Sequence, residues 1–345
     1  MVLKARELVD SEEDGSRRQA ISPGDDSLAL WAESPEEARI FLAKAAGARA
    51  NFRIDRIFVA KTSPTVRHNR YIGGEYYLTS DDVSVDTYKE TVFAPNAVTG
   101  LVQWCTCDVM ISRGTTPIVV LEDTAHIVRM NVYQRLPRMI RAAEQGVPSV
   151  VLQGTRGLEF RRRGDRWALF RYLQAFEALG RAYPQLSPLP VWYDPDVLSQ
   201  FNANQFALDH VAALITSNRD QVQTNRNIVM RRVEGVVNSL DQNERPPDLP
   251  SICYRGSEVI VKIGARPEKK SWIEKGSGQM DPYIGLIAAA RYIYCYNEAG
   301  QKDKNLVVEF TYIPPDFPFF RDGPRATALY KRLAYEFADE VRFLG

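Results

Sequence analysis

Apolar and polar positions recur along this chain with periods that predict both helices and strands. Ser34 and Pro35, followed by two acids, form a helix-start signal, and Gly47 marks the end of that helix. β-prone runs follow it at residues 52–60, 75–79 and 89–94. The first hundred residues therefore predict one helix and a set of strands.

The clearest local pattern spans residues 99–153. The run TGLVQWCTCDVMI is β-prone, RGTT is typical of a turn, and PIVVLED predicts a second strand. A helix is expected over roughly 126–145, ending at Gly146 and kinked or restarted at Pro137. VPSVVLQ then predicts a buried strand, so the expected order is strand, turn, strand, helix, strand.

The remaining sequence predicts a helical segment, a linker and a second α/β region. Residues 197–240 have a helical pattern, and the polar stretch 241–250 carries three prolines, which is typical of a linker. SICYRGSEVIVKIG predicts a hairpin, Asp281 opens a helix, and NLVVEFTYI predicts another strand. A last helix is expected to carry apolar residues at four-residue spacing, at Leu329, Leu333, Phe337 and Val341.

These elements predict an α/β (α+β) fold, with a mixed central β-sheet flanked by helices and a C-terminal α+β extension. A chain of 345 residues is long enough for two domains. The expected parts are a loosely ordered N-terminal segment at 1–30, an α/β core at 31–196, a helical connector and linker at 197–250, and a C-terminal α+β domain at 251–345.

Composition excludes several classes of protein. A net charge of +1 argues against a polycation that coats nucleic acid, although it permits a confined basic groove. The N-terminal sequence lacks the apolar run of a signal peptide, and no stretch approaches the roughly 20 apolar residues that span a bilayer. The four cysteines form no framework of closely spaced pairs. We therefore expect a reduced, cytoplasmic protein that is not in a membrane.

Asp108 and Glu122 form the candidate site for chemistry. Asp108 is expected in the first strand of the central hairpin and Glu122 near the end of the second, and a hard cation such as magnesium requires oxygen ligands of this kind. With a two-residue turn loop, residue 108 faces residue 121 and the carboxylates point to opposite faces of the sheet. With a three-residue loop, Asp108 lies opposite Glu122 on the same face. The sequence leaves both registers open.

This pair and the order of elements around it resemble the PD-(D/E)XK nuclease superfamily, which includes most type II restriction endonucleases. The resemblance covers roughly residues 75–155 and makes the 31–196 segment a nuclease-like core. It implies that Asp108 and Glu122, with Asp123 as the alternative to Glu122, bind Mg²⁺ and activate water. The cofactor expected from the resemblance is therefore magnesium.

One position departs from the family pattern. The family's lysine falls at Thr124, or at Ala125 where Asp123 is the ligand, and neither side chain can supply a positive charge. Either another side chain replaces it near the attacking water or the core is catalytically silent. The candidate replacements are His126, Arg129 and Lys89. The candidate catalytic set is therefore Asp108, Glu122, Thr124 and His126.

Basic residues after the hairpin predict contacts to nucleic acid. Arginine suits bidentate phosphate contacts and guanine edges, and interleaved aromatic rings such as Phe170 can stack on bases. The arginines are Arg135 and Arg138 on the expected helix, then Arg156, Arg161, Arg162, Arg163, Arg166 and Arg171. The C-terminal part adds Lys262, Lys269 and Lys270. The alternative interpretation of the second arginine group is a solvated charged loop over a small core.

The expected function is a magnesium-dependent endonuclease that hydrolyses phosphodiester bonds of double-stranded DNA. The resemblance implies a restriction or defence role and a homodimer. The alternative is a catalytically silent protein with a nuclease fold that binds nucleic acid. An enzyme acting on small nucleotides is disfavoured, because no Gly-x-Gly-x-x-Gly, Walker or Gly-x-Ser-x-Gly pattern occurs.

Overall fold

A computed structural model gives the fold of most of the chain. The residues that it describes are 26–48, 50–60, 70–78, 83–102, 107–124, 135–154, 163–184, 186, 189–193, 203–239, 252–264, 285–311, 315, 331 and 333–344.

The described residues form an α+β fold with two mixed sheets. The helices are α1 (Pro35–Gly47), α2 (Asn96–Val102), α3 (Leu136–Glu144), α4 (Arg163–Ala182), α5 (Ala203–Ile215), α6 (Arg219–Ser239) and α7 (Leu286–Cys295). The strands of the larger sheet are β1 (Leu28–Ala32), β2 (Arg56–Ala60), β3 (Arg70–Leu78), β4 (Val83–Phe93), β5 (Val109–Arg113), β6 (Thr116–Thr124), β7 (Ser149–Gly154) and β8 (Leu189–Tyr193). The smaller sheet consists of β9 (Ile252–Arg255), β10 (Glu258–Gly264), β11 (Asn305–Thr311) and β12 (Glu340–Leu344).

The larger sheet has the strand order β4-β3-β2-β1-β5-β6-β7-β8. β5 pairs antiparallel with β1 and β6, whereas β6, β7 and β8 run parallel. Helices α1, α2, α3 and α5 pack against this sheet. The predicted order of hairpin, helix and strand is therefore confirmed, and β6 and β7 enclose α3 as a parallel crossover unit.

Several local predictions hold because their signals are short-range. Ser34 caps α1, since its Oγ accepts the Glu37 backbone N–H at 3.2 Å, and α1 ends at Gly47 as expected. The β9–β10 hairpin and β11 also lie where the alternating apolar pattern indicates them. Gly146 follows the end of α3 with a φ of 76°, a conformation that glycine adopts without strain.

Other local predictions are wrong, and each has a physical reason. Residues 99–102 belong to helix α2 although their sequence is β-prone. Pro137, by contrast, agrees with the expected start of a helix at this point, because it lies in the first turn of α3, where its missing N–H costs no hydrogen bond; residues 126–134 of the expected helix lie outside the described part of the chain. Val341 lies in β12, where it pairs with Val308, so its four-residue spacing from Phe337 reflects burial and not one continuous helix.

The smaller sheet is joined to the larger one through helices. Its helix α7 packs on α3 and α4, and apolar residues of both sheets belong to one hydrophobic cluster. At this contact the Tyr292 hydroxyl donates to Glu144 Oε1 at 2.8 Å, and Arg291 Nη2 lies 3.6 Å from the same oxygen. The last turn of α3 is thereby attached to the helix of the smaller sheet.

Gly300 marks a close approach between the two parts. Its φ is 73°, and a Cβ added there would lie 2.3 Å from the carbonyl oxygen of Arg181 at the end of α4. Gly300→Ala should therefore destabilise the protein by roughly 3 kcal/mol or more, since both the conformation and the contact are unfavourable. Gly256→Ala is the control, because Gly256 has a φ of 58° with nothing within 4 Å of the added Cβ. Equal losses in urea unfolding for both variants would contradict this prediction.

His210 joins α5 to α6 and makes stability depend on pH. It is 2% exposed, and its Nδ1 lies 3.5 Å from the Asn225 side-chain nitrogen. Burial lowers the pKa of His210 to about 4, and the nearby charge of Arg226 adds to the effect. Between about pH 6.5 and 4 the unfolded chain binds a proton that the folded chain does not, so stability should fall by up to about 3 kcal/mol as pH decreases. Urea unfolding at several pH values should show a smaller decrease for His210→Gln; an identical profile would contradict the assignment.

The described helices were also compared with the dimensions of a bilayer. Within the described ranges, none combines the length and the apolar character that crossing a membrane requires.

Candidate active site

The register of the β5–β6 hairpin determines how the two candidate acids lie. Arg113 pairs with Thr116, so the turn loop has two residues, which by itself would direct the acids to opposite faces. The ladder then shifts at Ile118, where β6 contains one residue more than β5. Beyond this bulge Val109 pairs with Leu121. Asp108 therefore aligns with Glu122, a result that the sequence expected only for a three-residue loop.

The sequence predicted Asp108 within the first strand of the hairpin. In the structure it lies immediately before that strand, β5. Its Oδ2 accepts the backbone N–H of Asp123 at 2.7 Å, and its carbonyl oxygen accepts the Glu33 backbone N–H at 3.1 Å. The carboxylate is 6% exposed. These bonds hold the side chain across the ends of β5 and β6, with Oδ1 directed to other partners.

Glu122 is fully buried and contacts two arginines. Arg138 belongs to α3, and Arg135 is the residue immediately before that helix. Arg138 Nη1 lies 2.7 Å from Oε1 and 2.6 Å from Oε2, and Arg135 Nη1 lies 3.3 Å from Oε2. The same Nη1 of Arg138 is 3.8 Å from Asp108 Oδ1. One cationic nitrogen therefore lies against both carboxylates, which brings the predicted acid pair together at a single point.

Lys44 provides a positive charge on the other side of β6. It lies in the last turn of α1 and forms an ion pair with Asp123, and both side chains are partly buried. Successive residues of a strand point to opposite faces, so Glu122 contacts α3 while Asp123 contacts α1. The sequence gave no sign of this pair, because Lys44 and Asp123 are separated by 79 positions.

Burial changes the protonation of the acids in this region. It raises the pKa of Glu122 to about 7, against the opposing charge of Arg138. It likewise raises the pKa of Glu37 on α1 to about 7, and the negative charges of Asp108 and Asp123 add to the effect. Burial also raises the pKa of Asp123, which the charge of Lys44 partly offsets. Two carboxyls of the region are therefore poised near neutral pH, as acids at functional sites commonly are.

These side chains border an open cleft whose enclosed space is about 30 Å³, roughly that of one water molecule. One wall is α1, with Glu37 and Lys44, and the opposite wall is the first half of α5, with Asn204 and Leu208. The floor consists of the ends of β5, β6 and β7. A few polar groups converge there, as at many ligand sites, although the enclosed space is much smaller than a pocket for a small molecule. The cleft therefore reaches the strand ends that carry the acid pair, on the side of Lys44 and Asp123, while the Glu122 carboxyl is fully buried on the α3 side.

The oxygen donors at this point suit a hard cation. Magnesium is usually held by one or two protein carboxylates, with water and substrate oxygens completing its shell. Asp108 and Glu122 fit that requirement, since the Arg138 guanidinium shows that positive charge is accommodated between them. Among the described residues, no three His, Cys, Asp or Glu side chains converge as a metal cage. A cation at this site would therefore share the carboxylates with Arg135 and Arg138.

The structure describes some of the other predicted site residues only in part and others not at all. The Thr124 backbone ends β6, and Lys89 lies on β4, five strand positions from β6. Lys262 is exposed on β10, in the smaller sheet. Arg163 begins α4. The predicted residues that lie outside the described part of the chain are His126, Arg129, Arg156, Arg161, Arg162, Lys269 and Lys270.

The interpretation of residues 163–171 as a loop is wrong, because they form the first half of α4. Arg171 is 6% exposed, donates to Gln174 Oε1 at 2.9 Å and lies over the Tyr294 ring. Phe170 is 3% exposed and therefore not available to stack on a base. Arg171 belongs to the packing between α4 and α7, and the Phe170 ring lies beside its guanidinium group.

Comparison with known proteins yields no relative. No family model matches the chain, and neither a curated protein nor a solved structure matches it. Any function assigned to this chain therefore depends on the chemistry of its own side chains.

Proposed function

We propose that this protein is a magnesium-dependent endonuclease that hydrolyses phosphodiester bonds of duplex DNA. The observation that carries the proposal is the convergence of Asp108 and Glu122, from adjacent antiparallel strands, on one guanidinium nitrogen of Arg138. Two buried carboxylates that share a cationic partner beside an open cleft can also share a metal ion. The resemblance of the hairpin to PD-(D/E)XK nucleases supports the same chemistry.

Asp108 and Glu122 would hold the magnesium ion in this mechanism. Magnesium, when bound, polarises a phosphoryl oxygen and lowers the pKa of a bound water. The hydrogen bond from the Asp123 N–H fixes the Asp108 carboxylate, so that one of its oxygens remains directed at the shared point. Arg135 and Arg138 would then be displaced in part from the acids, and phosphate oxygens are the natural partners for their guanidinium groups.

We assign to Lys44 the role of the family's lysine, whose position is occupied by Thr124 in this chain. Its ammonium lies at the cleft beside Asp123, the residue next to Glu122. Because Glu122 and Asp123 point to opposite faces of β6, the phosphate would lie at the end of the strand, where the Lys44 charge would stabilise the negative charge that develops during attack by water. Glu37 lies in the same cleft, and its pKa of about 7 suits the uptake of a proton from that water.

A catalytically silent DNA-binding protein is the second candidate. Its supporting observation is the neutralisation of both acids by Arg135 and Arg138, since buried ion pairs of this kind are costly to break. In such a protein the arginines would remain on the acids, and the fold would bind duplex DNA without cutting it.

Incubation of the purified protein with mixed-sequence duplex DNA separates the two candidates. With magnesium we expect cleavage at mappable positions, and with EDTA we expect none. DNA that is bound but left intact under all magnesium conditions would favour the silent protein. DNA that is neither bound nor cut would refute both. A homodimer would provide one site for each strand, so double-strand breaks should accompany a dimeric mass in light scattering.

A further inference from the structure

Helices α5 and α6 form a tightly connected pair. Only Thr216, Ser217 and Asn218 separate them. Ser217 has a φ of 56°, and the Asn218 N–H donates to the Ala213 carbonyl at 2.8 Å, which together close the end of α5. The Asn218 side chain then accepts the Gln221 N–H at 3.2 Å and caps α6. The turn thus defines how α6 leaves α5, as in a helix-turn-helix unit.

α6 has one packed face and one open face. Asn225, Arg226 and Val229 are buried, and the helix packs on α4, α5 and β8. Apart from the half-buried Val222 and Met230, the other described side chains of α6 are exposed and mainly polar. They are Arg219, Asp220, Gln221, Gln223, Thr224, Asn227, Ile228, Arg231, Arg232 and Glu234. Gln223 Nε2 donates to Asn227 Oδ1 at 2.8 Å. The open face is therefore dominated by amides and arginines and not by alternating charges.

We infer that the open face of α6 reads base edges in the major groove of duplex DNA, an inference that rests on the proposed function. Asn and Gln side chains form paired hydrogen bonds with adenine, arginine does so with guanine, and threonine contacts the thymine methyl. Asn227, Thr224 and Arg231 lie within two turns of one another on this face. A helix entering the major groove presents side chains in this arrangement.

The dimensions of α6 agree with this partner. Its 21 residues give a length of about 31 Å. Arg219 and Arg231 are about 18 Å apart along its axis, so their charges can reach phosphates on both sides of a groove about 12 Å wide. A protein-binding face would require larger apolar side chains, whereas Ile228 is the exposed large apolar residue among the side chains of α6 that the structure describes.

α5 connects this face to the candidate active site. The first half of α5 lines the cleft through Asn204 and Leu208. At its other end, Arg113 of the β5–β6 hairpin donates to the Ile215 carbonyl at 3.0 Å. The hairpin that carries the acids therefore contacts the helix that leads into α6. Binding of α6 in a groove would then fix the position of the cleft along the same duplex.

Selection of bound sequences from random duplexes, with EDTA present, tests the inference on the full chain. The wild type should select a defined motif. The N227A/R231A variant should lose at least about 10-fold in affinity at each base that these residues contact, with little change on unrelated sequences. The R255A/Q301A control removes an exposed arginine of β9 and an exposed amide of the loop before β11, and it should retain the motif. Circular dichroism and melting temperature establish that both variants are folded.

The outcomes distinguish this inference from the proposed function. A motif that is unchanged in N227A/R231A would overturn the assignment of α6, and cleavage of DNA in magnesium would still stand. A uniform loss on all sequences with a reduced salt slope would also overturn it, because the helix would then contact only phosphates. Equal competition by double-stranded RNA would do the same, since its major groove does not admit side chains. Absence of DNA binding by the wild type would refute both ideas.

Discussion

Replacement of Asp108 by Asn should reduce magnesium-dependent cleavage by roughly 10³-fold, which corresponds to about 4 kcal/mol of transition-state stabilisation. An Asn side chain can still accept the Asp123 N–H, so the hairpin should remain intact while the negative charge is lost. Affinity for DNA should be unchanged or slightly higher, because a charge that repels phosphate is removed. Single-turnover cleavage and fluorescence anisotropy measure the two effects separately.

Asp55→Asn provides a matched control for this variant. Asp55 also accepts a backbone N–H, that of Leu28 at 2.8 Å, but it lies outside the cleft. Its replacement should leave both cleavage and DNA affinity unchanged. Cleavage by Asp108→Asn at the rate of the wild type would remove this carboxylate from the mechanism and with it the proposed metal site.

The second large effect is expected at Lys44. Lys44→Gln should lower the single-turnover cleavage rate by roughly 10²-fold, because a positive charge near the reacting phosphate is lost. Lys44→Arg should recover part of the rate, since it restores the charge in a different geometry. The apparent affinity for DNA should change much less than the rate, which distinguishes a role in the chemical step from a contribution to binding.

Lys302→Gln is the control for Lys44. Lys302 forms an ion pair with Asp339 beside the smaller sheet, in the segments before β11 and β12, so its removal deletes the same type of pair outside the cleft. Cleavage by this variant should match that of the wild type. If Lys44→Gln cleaves normally, or if its loss of rate is fully explained by a lower melting temperature, Lys44 does not replace the missing lysine.

The acid pair was predictable from the sequence, whereas its alignment was not. Asp108 and Glu122 lie near turn and strand signals that are local, so their elements followed from the order of apolar residues. Their relative orientation depended on the turn loop and on a bulge at Ile118. A bulge is determined by packing across several strands, and no short pattern around Ile118 indicates it.

The charges around the acid pair show a second limit of what the sequence could predict. Arg138 was expected at DNA, yet in the structure it neutralises Glu122, and Lys44 was not singled out at all. Both contacts join residues that are distant in sequence, so they depend on which helices pack on each face of the sheet. Burial of Arg171 in α4 follows from the same tertiary packing, which local composition does not encode.

The bulge at Ile118 has a consequence for the alignment of other chains with this one. Thirteen residues separate the two acids here, and one of them exists only to correct the register of the hairpin. A chain with one residue fewer in β6 and one residue more in its turn would bring its acids to the same face. Such a chain keeps thirteen residues between its acids, so residues 114–118 should be matched by ladder partners, counted from Val109 and Leu121, because an alignment without gaps would pair turn residues with strand residues there.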